Sequence, residues 1–452
     1  MTAGIYKNAL MKKYLEARKQ WLWICVIAAI VISRICWYGI QQPYIIYPDS
    51  TQYIHFDTSE VLSGNLNATD GRPPLYGVFL DLMGAFFGDS YLSATKFVQI
   101  LVSFLSIVVF AKLLRRLGIL SPCRELCVFL YGVTPAVVGW DNAILTESFS
   151  LSGTVVFFYW IVLYIQNHQL RYGVLAHLMA FALVFLRPQF LVYLALLFTF
   201  LVLKFFFPFE RAERKRIVTL LLLQVVLCGG IWGYCVGFEK ATGVFSLTTA
   251  SPIQNMRVCI DRGYYADFDD EKVKQFIEQK MEELPGNTEV FNATAAEFGI
   301  PRCGEVAQHY FSTHFSTYVI DTIDVMINDL QTRFCGYGLY SDKINTGARG
   351  IFYKTYALQM GLFGIATVAH ALIFSALEGV AMAIVWVRRR SLPWIHMALF
   401  SISICTTVTT YFVTCGEYMR TMISVVPYLY CMMGMFLQMC ASQFVHQHLQ
   451  SV

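Results

Sequence analysis

Long apolar runs separated by short polar stretches dominate the chain. Several runs reach the ~20 residues that a helix needs to cross a hydrocarbon core. A bilayer accepts only helices or closed barrels, and these runs lack the alternation of barrel strands. The pattern predicts transmembrane helices at about 21–40, 91–116, 122–140, 148–166, 171–187, 189–207, 216–236, 362–387, 393–414 and 419–440.

Two further stretches near the N-terminus need separate interpretation. The apolar run 73–88 (PPLYGVFLDLMGAFFG) is short and contains Asp81, so it is predicted to lie along the outer membrane surface. The run from Trp21 to Ile40 contains Arg34, and no small-residue cleavage pattern follows it. We therefore expect a retained first helix rather than a signal peptide.

The largest polar segment, from about 238 to 350, has helical patterning of its own. In DDEKVKQFIEQKMEEL (269–284), the residues Val273, Phe276 and Ile277 share one helical face after an Asp-rich start suited to capping. The sequence thus predicts three parts. They are a transmembrane module at 1–237 that includes a first outer loop at 41–90, an extracytoplasmic helical domain at 238–350, and C-terminal transmembrane helices at 351–452.

Composition and charge agree with a membrane protein. The 452 residues are 56% hydrophobic and 14% charged, against about 25% charged in soluble proteins, and the mean hydropathy is +0.53. The net charge is +4, and basic clusters abut the apolar runs, as expected of cytoplasmic ends. The predicted fold class is an all-α polytopic membrane protein of about ten helices, with both termini in the cytoplasm.

Composition also excludes several kinds of site. The basic residues are spread among loop ends, which argues against a nucleic-acid surface. The 13 cysteines show no metal-ligand spacing. Cys259, Cys303 and Cys335 fall in the large polar segment, where two of them would be able to pair in an oxidising compartment.

Carboxylates and arginines recur in the loops predicted to face outward. Ionisable groups near a membrane interface usually pair or line a polar cavity, and arginine binds phosphate in a bidentate way. The pattern indicates a site that binds an anionic head group beside a carboxylate base. Its candidate residues are Asp49 in YPDSTQY, Arg72 in GRPPLY, Asp141 and Glu147 in WDNAILTES, Arg187 in FLRPQF, and Glu417 and Arg420 in CGEYMRTM.

Each candidate also has a purely structural interpretation. Asp49 is a common turn former, and Arg72 and Arg187 are able to act as interfacial anchors. Glu147 would be favoured by the dipole of its own helix. Glu417 and Arg420 would form a simple ion pair.

These stretches, in this order, resemble the GT-C superfamily of glycosyltransferases that use polyprenyl-phosphate sugars, including protein O-mannosyltransferases and aminoarabinose transferases. GRPPLYGVFLDLMGAFFGDS is similar to the family's basic-PPL segment, and AILTESFSLS to its second-loop acidic segment. FLRPQFL and GEYMRTMISVVP are similar to its later basic and Glu-x-x-Arg stretches. The resemblance covers about 1–205, and more loosely 400–430. Ser50, Arg72 and Glu147 stand where the family often has Glu, Lys and Asp.

The resemblance implies transfer of a sugar from a polyprenyl-phosphate donor to an acceptor hydroxyl on a glycan, lipid or protein. Asp49 would be the catalytic base, and Arg72, Arg187 and Arg420 would bind the lipid phosphate. Asp141 and Glu147 would orient hydroxyl groups or help to hold a divalent cation, if one takes part. Glu417, three residues before Arg420, is included in the substrate-binding set.

Two other functions and two compartments stay open on the sequence alone. A transporter or flippase of lipid-linked sugars would share the cations, but neither inverted repeats nor paired broken helices are found. A non-catalytic scaffold is the second alternative. Asn-Ala-Thr sequons at Asn67 and Asn292 would suit the lumen of the endoplasmic reticulum. We favour a bacterial plasma membrane with the site facing outward.

Overall fold

The computed structural model describes residues 2–40, 44–69, 71–206, 211–332, 367–389, 392–413 and 418–450. Within these ranges the chain forms helices and no β-strand, apart from an isolated bridge between Ile45 and Ala143. The α-helices are α1 Thr2–Ile40, α2 Pro48–Ile54, α3 Thr58–Leu62, α4 Pro74–Phe87, α5 Tyr91–Arg116, α6 Cys123–Val133, α7 Pro135–Val138, α8 Glu147–Asn167, α9 Leu170–Leu186, α10 Leu191–Phe206, α11 Arg211–Thr242, α12 Ala250–Asp261, α13 Glu271–Glu283, α14 Asn287–Thr313, α15 Phe315–Asn328, α16 Val368–Arg389, α17 Trp394–Val413, α18 Tyr418–Thr421 and α19 Val426–Gln450.

In the described residues, eight helical stretches are long and apolar enough to cross a membrane, and α9 is a shorter apolar helix. The predicted all-α polytopic membrane protein is thereby confirmed. The eight stretches are Gln20–Gly39, Pro74–Arg116, Glu147–Asn167, Pro188–Phe206, Glu213–Thr242, Val368–Arg388, Trp394–Phe412 and Met422–Ala441.

The structure differs from the prediction at 122–140, where a continuous helix was expected. Instead α6 ends at Val133 and the short α7 begins at Pro135. Thr134 between them is extended, with φ −64° and ψ 132°. A residue before proline is pushed out of the helical region by the proline ring, so the break follows from the sequence Thr134-Pro135.

The outer surface of the helical bundle is apolar. Large hydrophobic side chains such as Trp21 and Ile24 of α1 and Val225 and Trp232 of α11 are exposed. Apolar surface costs about 25 cal/mol per Å² when it faces water. Such a surface is stable where it faces lipid, which agrees with the membrane-spanning lengths of the helices.

Helix α8 lies at the centre of the bundle. It packs against α5 and α9, and most of its side chains are buried. At 1.5 Å per residue it is about 31 Å long. Near its C-terminal end, Gln166 donates to the carbonyl of Arg116 and Arg216 donates to the carbonyl of His168. Arg116 and Arg216 therefore lie near the end of α8 opposite to Glu147.

The described part of the polar segment, α12 to α15, has a separate hydrophobic core. This core includes Met256, Cys259 and Tyr310. Helix α13 confirms the predicted amphipathic helix, because Asp270 caps it and Val273 and Ile277 are buried. Cys259 and Cys303 are free thiols, and Cys335 lies outside the described residues. The division of the chain at 237 and 350 stays a prediction; α11 continues to Thr242.

Candidate functional site

Two loops that are far apart in sequence meet through backbone hydrogen bonds. The N–H of Ile45 donates to the carbonyl of Asn142 at 2.9 Å, and the N–H of Ile144 donates to the carbonyl of Ile45 at 3.0 Å. These bonds fix the segment before α2 against the segment before α8. Asp49, on α2, is thereby held close to Glu147, the first residue of α8.

Helix α2 is short, and its sequence explains how it presents Asp49. Pro48 occupies the first helical position, where its fixed φ suits the helix and its missing N–H is no loss. The Ser50 hydroxyl accepts the N–H of Tyr47 at 2.9 Å. Ser50 and Tyr53 are buried, whereas the Asp49 side chain is 24% exposed. Ser50 thus caps this helix.

Arg72 and Arg187 share one local feature, because each directly precedes a proline. Proline disfavours the helical conformation of the residue before it. Arg187 accordingly ends α9 in an extended conformation, with φ −152° and ψ 123°. Pro73, the residue before the first residue of α4, in turn separates Arg72 from that helix. Both arginines therefore lie in non-helical segments at helix ends rather than along a helix.

The position of Arg72 is further fixed by the start of the polar segment. The carbonyl of Gly71 accepts hydrogen bonds from the hydroxyl of Thr248 at 2.5 Å and the N–H of Thr249 at 3.0 Å. Gly71 has φ +72°, which favours glycine, and a Cβ there would collide with the Thr249 side chain. Glycine at position 71 therefore meets both a conformational and a steric requirement.

A chain of alternating charges links five of the predicted site residues. Asp49 Oδ1 lies 2.9 Å from Arg72 Nη2, and Asp49 Oδ2 lies 2.5 Å from Arg420 Nη1. Glu147 Oε1 accepts from Arg420 Nε and lies 3.1 Å from Arg187 Nη1. The three arginines and two carboxylates leave one surplus positive charge.

The two carboxylates of this chain differ in access. Glu147 is fully buried beneath Arg187 and Arg420, whereas Asp49 is partly exposed. Burial alone would raise the pKa of Asp49, but the nearby guanidinium groups, first Arg72 and then Arg420, hold that pKa below its usual value. Asp49 is therefore a carboxylate anion in this arrangement.

Asp49, Arg72, Arg187 and Arg420 line a cleft of about 110 Å³. Besides Asp49 and the three arginines, polar side chains that sequence reasoning missed contribute to its walls. One signal was present, because Tyr53 lies one helical turn after Asp49. No pattern in the sequence pointed to the α12 residues. The missed polar lining residues are Tyr53, Thr146, Gln189, Thr248, Ser251, Gln254 and Thr421.

Asp141 lies in a different place from the one we predicted, inside the bundle and not among the residues that line the cleft. It is fully buried. Its Oδ2 accepts from Arg34 Nη1 at 2.9 Å and from the Tyr38 hydroxyl at 2.6 Å, and its Oδ1 accepts from Ser148 at 2.7 Å. Arg34 also donates to Ser103 at 2.7 Å. We call Arg34, Tyr38, Ser103, Asp141 and Ser148 the buried cluster.

The remaining predictions concern Glu417 and a divalent cation. Glu417 lies outside the described residues. Among the described residues, no three His, Cys, Asp or Glu side chains form a group that would hold a metal ion. Asp49 and Glu147 each contact two guanidinium groups, and this surplus of positive charge disfavours a divalent cation. The donor set fits an anion instead.

Comparison with known proteins gives a distant likeness among solved structures. No family model matches the chain, and no curated protein matches it. Among solved structures, the chain is similar to the archaeal oligosaccharyltransferase AglB from Archaeoglobus fulgidus in complex with an inhibitory peptide and a dolichol-phosphate, at 11% identity and a TM-score of 0.43. The match covers 96% of this chain and 52% of the other, so this chain spans about half the length of that protein.

Proposed function

We propose that this protein is an integral membrane glycosyltransferase of the GT-C type. It moves a sugar from a polyprenyl-phosphate donor, of undecaprenyl or dolichyl type, to an acceptor hydroxyl. The observation that carries the proposal is the cleft itself, in which Arg72 and Arg420 converge on a partly exposed carboxylate, Asp49. An accessible cleft with surplus positive charge suits a phosphate group.

The chemistry of such a transfer needs few groups. The acceptor hydroxyl gives up its proton as it attacks the anomeric carbon, and the phosphate leaves with the bonding electron pair. A carboxylate within hydrogen-bond reach serves as the base, and fixed guanidinium groups stabilise the negative charge that gathers on the phosphate. We assign the base to Asp49 and phosphate binding to Arg72, Arg187 and Arg420.

The other two carboxylates receive indirect roles in this proposal. Glu147 is buried against Arg187 and Arg420, so we assign it the positioning of these two guanidinium groups. Asp141 holds the hydroxyl of Ser148, the residue after Glu147. We therefore propose that Asp141 positions the start of α8 without touching substrate.

The proposal also includes a location. We place the cleft on the outer side of a bacterial plasma membrane, because basic residues near Arg116 and Arg216 lie at the opposite end of α8 and basic ends face the cytoplasm. In a eukaryote the same topology would place the cleft in the lumen of the endoplasmic reticulum. The acceptor is a hydroxyl of a glycan, lipid or protein.

The test is a transfer assay with membranes that contain the protein and a radiolabelled polyprenyl-phosphate sugar. Asp49→Asn removes the base and keeps the shape of the side chain, so transfer is expected to fall by about 10²- to 10⁴-fold. The matched control is Asp57→Asn in the same loop. Asp57 caps α3, a role that Asn also fills, and this variant should keep full activity.

Two results would contradict the proposed function. Transfer by Asp49→Asn at the wild-type rate would remove Asp49 as the base. Movement of the labelled lipid across the membrane without product would instead favour a flippase.

A further inference from the structure

The guanidinium groups of the cleft are held from behind by residues other than Asp49. Arg72 Nε donates to the Gln52 side-chain oxygen at 2.6 Å. Arg420 Nε donates to Glu147, which also accepts from Arg187 Nη1 at 3.1 Å. Each guanidinium therefore has an anchor that is independent of Asp49. The cations would keep their positions if the Asp49 side chain turned away.

Asp49 contacts the same two cations on the side that faces the cleft. Its two oxygens are divided between Arg72 and Arg420, in the manner in which two oxygens of a phosphate bridge a pair of arginines. Its side chain is 24% exposed, whereas Glu147 is fully buried. Ser50 and Tyr53 anchor α2 in the interior, so a rotation of the Asp49 side chain leaves the helix in place.

We propose that Asp49 occupies the phosphate subsite of the free protein, and that the donor's phosphate displaces it from Arg72 and Arg420. This inference rests on the proposed function and adds an order of events to it. Asp49 is engaged by the two arginines until the donor binds, and only then is it free to accept a proton from the acceptor hydroxyl.

The charges of the cleft favour this order. With Asp49 bound, the five side chains carry one net positive charge, which attracts the single negative charge of a phosphodiester. After the exchange, the released carboxylate lies beside the phosphate anion. A neighbouring negative charge favours proton uptake by a carboxylate. The acceptor oxygen then bonds to the anomeric carbon, the bond from that carbon to the phosphate breaks, and the acceptor's proton passes to Asp49. Without donor, Asp49 stays in its anionic form, bound to Arg72 and Arg420.

The experiment measures binding of radiolabelled farnesyl phosphate, a short isoprenyl phosphate, to the purified full-length protein in detergent. In wild type the phosphate must displace a carboxylate, whereas in Asp49→Asn it displaces only a neutral amide. The dissociation constant of Asp49→Asn is expected to be about tenfold lower than that of wild type, a change that corresponds to about 1.4 kcal/mol. Asp57→Asn should bind as wild type does, and gel filtration with thermal unfolding checks that all three proteins are folded.

The binding result and the transfer result separate the two proposals. Unchanged or weaker binding by Asp49→Asn overturns the displacement of Asp49, even if that variant has lost transfer and the base assignment stands. Tighter binding supports the displacement, and active transfer by Asp49→Asn in the assay above contradicts only the base. Absence of farnesyl phosphate binding by wild type overturns both the phosphate subsite and the displacement.

Discussion

The cleft and the buried cluster are built from the same kinds of residue, yet they differ in charge balance and in access. The buried cluster pairs one arginine, Arg34, with one carboxylate, Asp141, and both are fully buried. The cleft combines three arginines with two carboxylates, and Asp49 is partly exposed. One region is neutral and closed, and the other is cationic and open.

This difference shows why an arginine–carboxylate pair in a membrane protein does not by itself indicate a ligand site. In the buried cluster both oxygens of Asp141 accept hydrogen bonds from Arg34, Tyr38 or Ser148, and Arg34 and Asp141 are closed off from solvent. Such a pair fixes how helices pack. In the cleft the three arginines outnumber the two carboxylates, and Asp49 is partly exposed to solvent, so an anion is able to bind there.

The largest expected effect comes from breaking the buried cluster on one side. Asp141→Asn leaves Arg34 as a buried charge without its counter-ion, and such a loss costs about 3 to 5 kcal/mol of folding stability. The measurement is thermal or detergent-induced unfolding of the purified protein. We expect loss of folded protein rather than a selective loss of donor binding.

The double variant Arg34→Met with Asp141→Leu is the matched control for this change. It removes both charges together, and such replacements are often close to neutral. We expect it to recover most of the stability that Asp141→Asn loses. A double variant as unstable as the single one would show that the pair matters for more than charge balance.

The next effect is smaller and falls on the cleft. Arg72→Lys keeps the positive charge but loses the planar fork that contacts Gln52 and Asp49 together. We expect the KM for donor to rise by about tenfold, with stability changed by less than about 1 kcal/mol because the pair is partly exposed. Steady-state kinetics and thermal unfolding measure the two quantities.

The control for Arg72→Lys is Arg257→Lys, which alters an exposed arginine that pairs with Asp261 at 3.8 Å. It should leave KM unchanged. Equal effects of the two substitutions on KM would argue against a phosphate subsite at Arg72.

The smallest effect is a shift in pH dependence. Asp49 contacts Arg72 and Arg420. In the free protein burial acts to raise the pKa of Asp49, but the guanidinium groups, first Arg72 and then Arg420 and Arg187, hold that pKa below its usual value. The profile of kcat/KM, which reports the free protein, should therefore keep its plateau to a lower pH than an unperturbed carboxyl group would allow. Because the donor phosphate takes over the arginines, the acid limb of kcat should lie at a higher pH than the acid limb of kcat/KM. Coincident limbs would contradict displacement of Asp49.

The sequence predicted where helices and loops lie better than it predicted which charged side chains pair. Apolar runs predicted the helices. The positions of the loops predicted that Asp49, Arg72, Arg187 and Arg420 would lie in one site, and the structure brings them together around one cleft. Their roles stay predictions. The partners were harder to find, because Arg34 looked like an interruption of an apolar run and its counter-ion lies 107 residues away. Periodicity carries no information about which loops meet.

Glu147 illustrates the same limit in a single residue. Its place at the start of α8 follows from sequence, because a helix N-terminus favours a carboxylate. Its burial under two arginines depends on a bridge between two loops, at Ile45 and Ala143. The local preference of a helix N-terminus explains why a carboxylate begins α8. Tertiary contacts determine that this carboxylate pairs with Arg187 and Arg420.

The hydrogen bonds from Thr248 and Thr249 to Gly71 have a consequence for the exchange of parts between related chains. The polar segment has a hydrophobic core of its own, which makes it an attractive unit to transplant. Its first residues, however, hold the backbone beside Arg72 and line the cleft as far as Gln254. A chimaera joined after Gln254 would keep the recipient's cleft intact, whereas one joined at residue 238 would replace one of its walls.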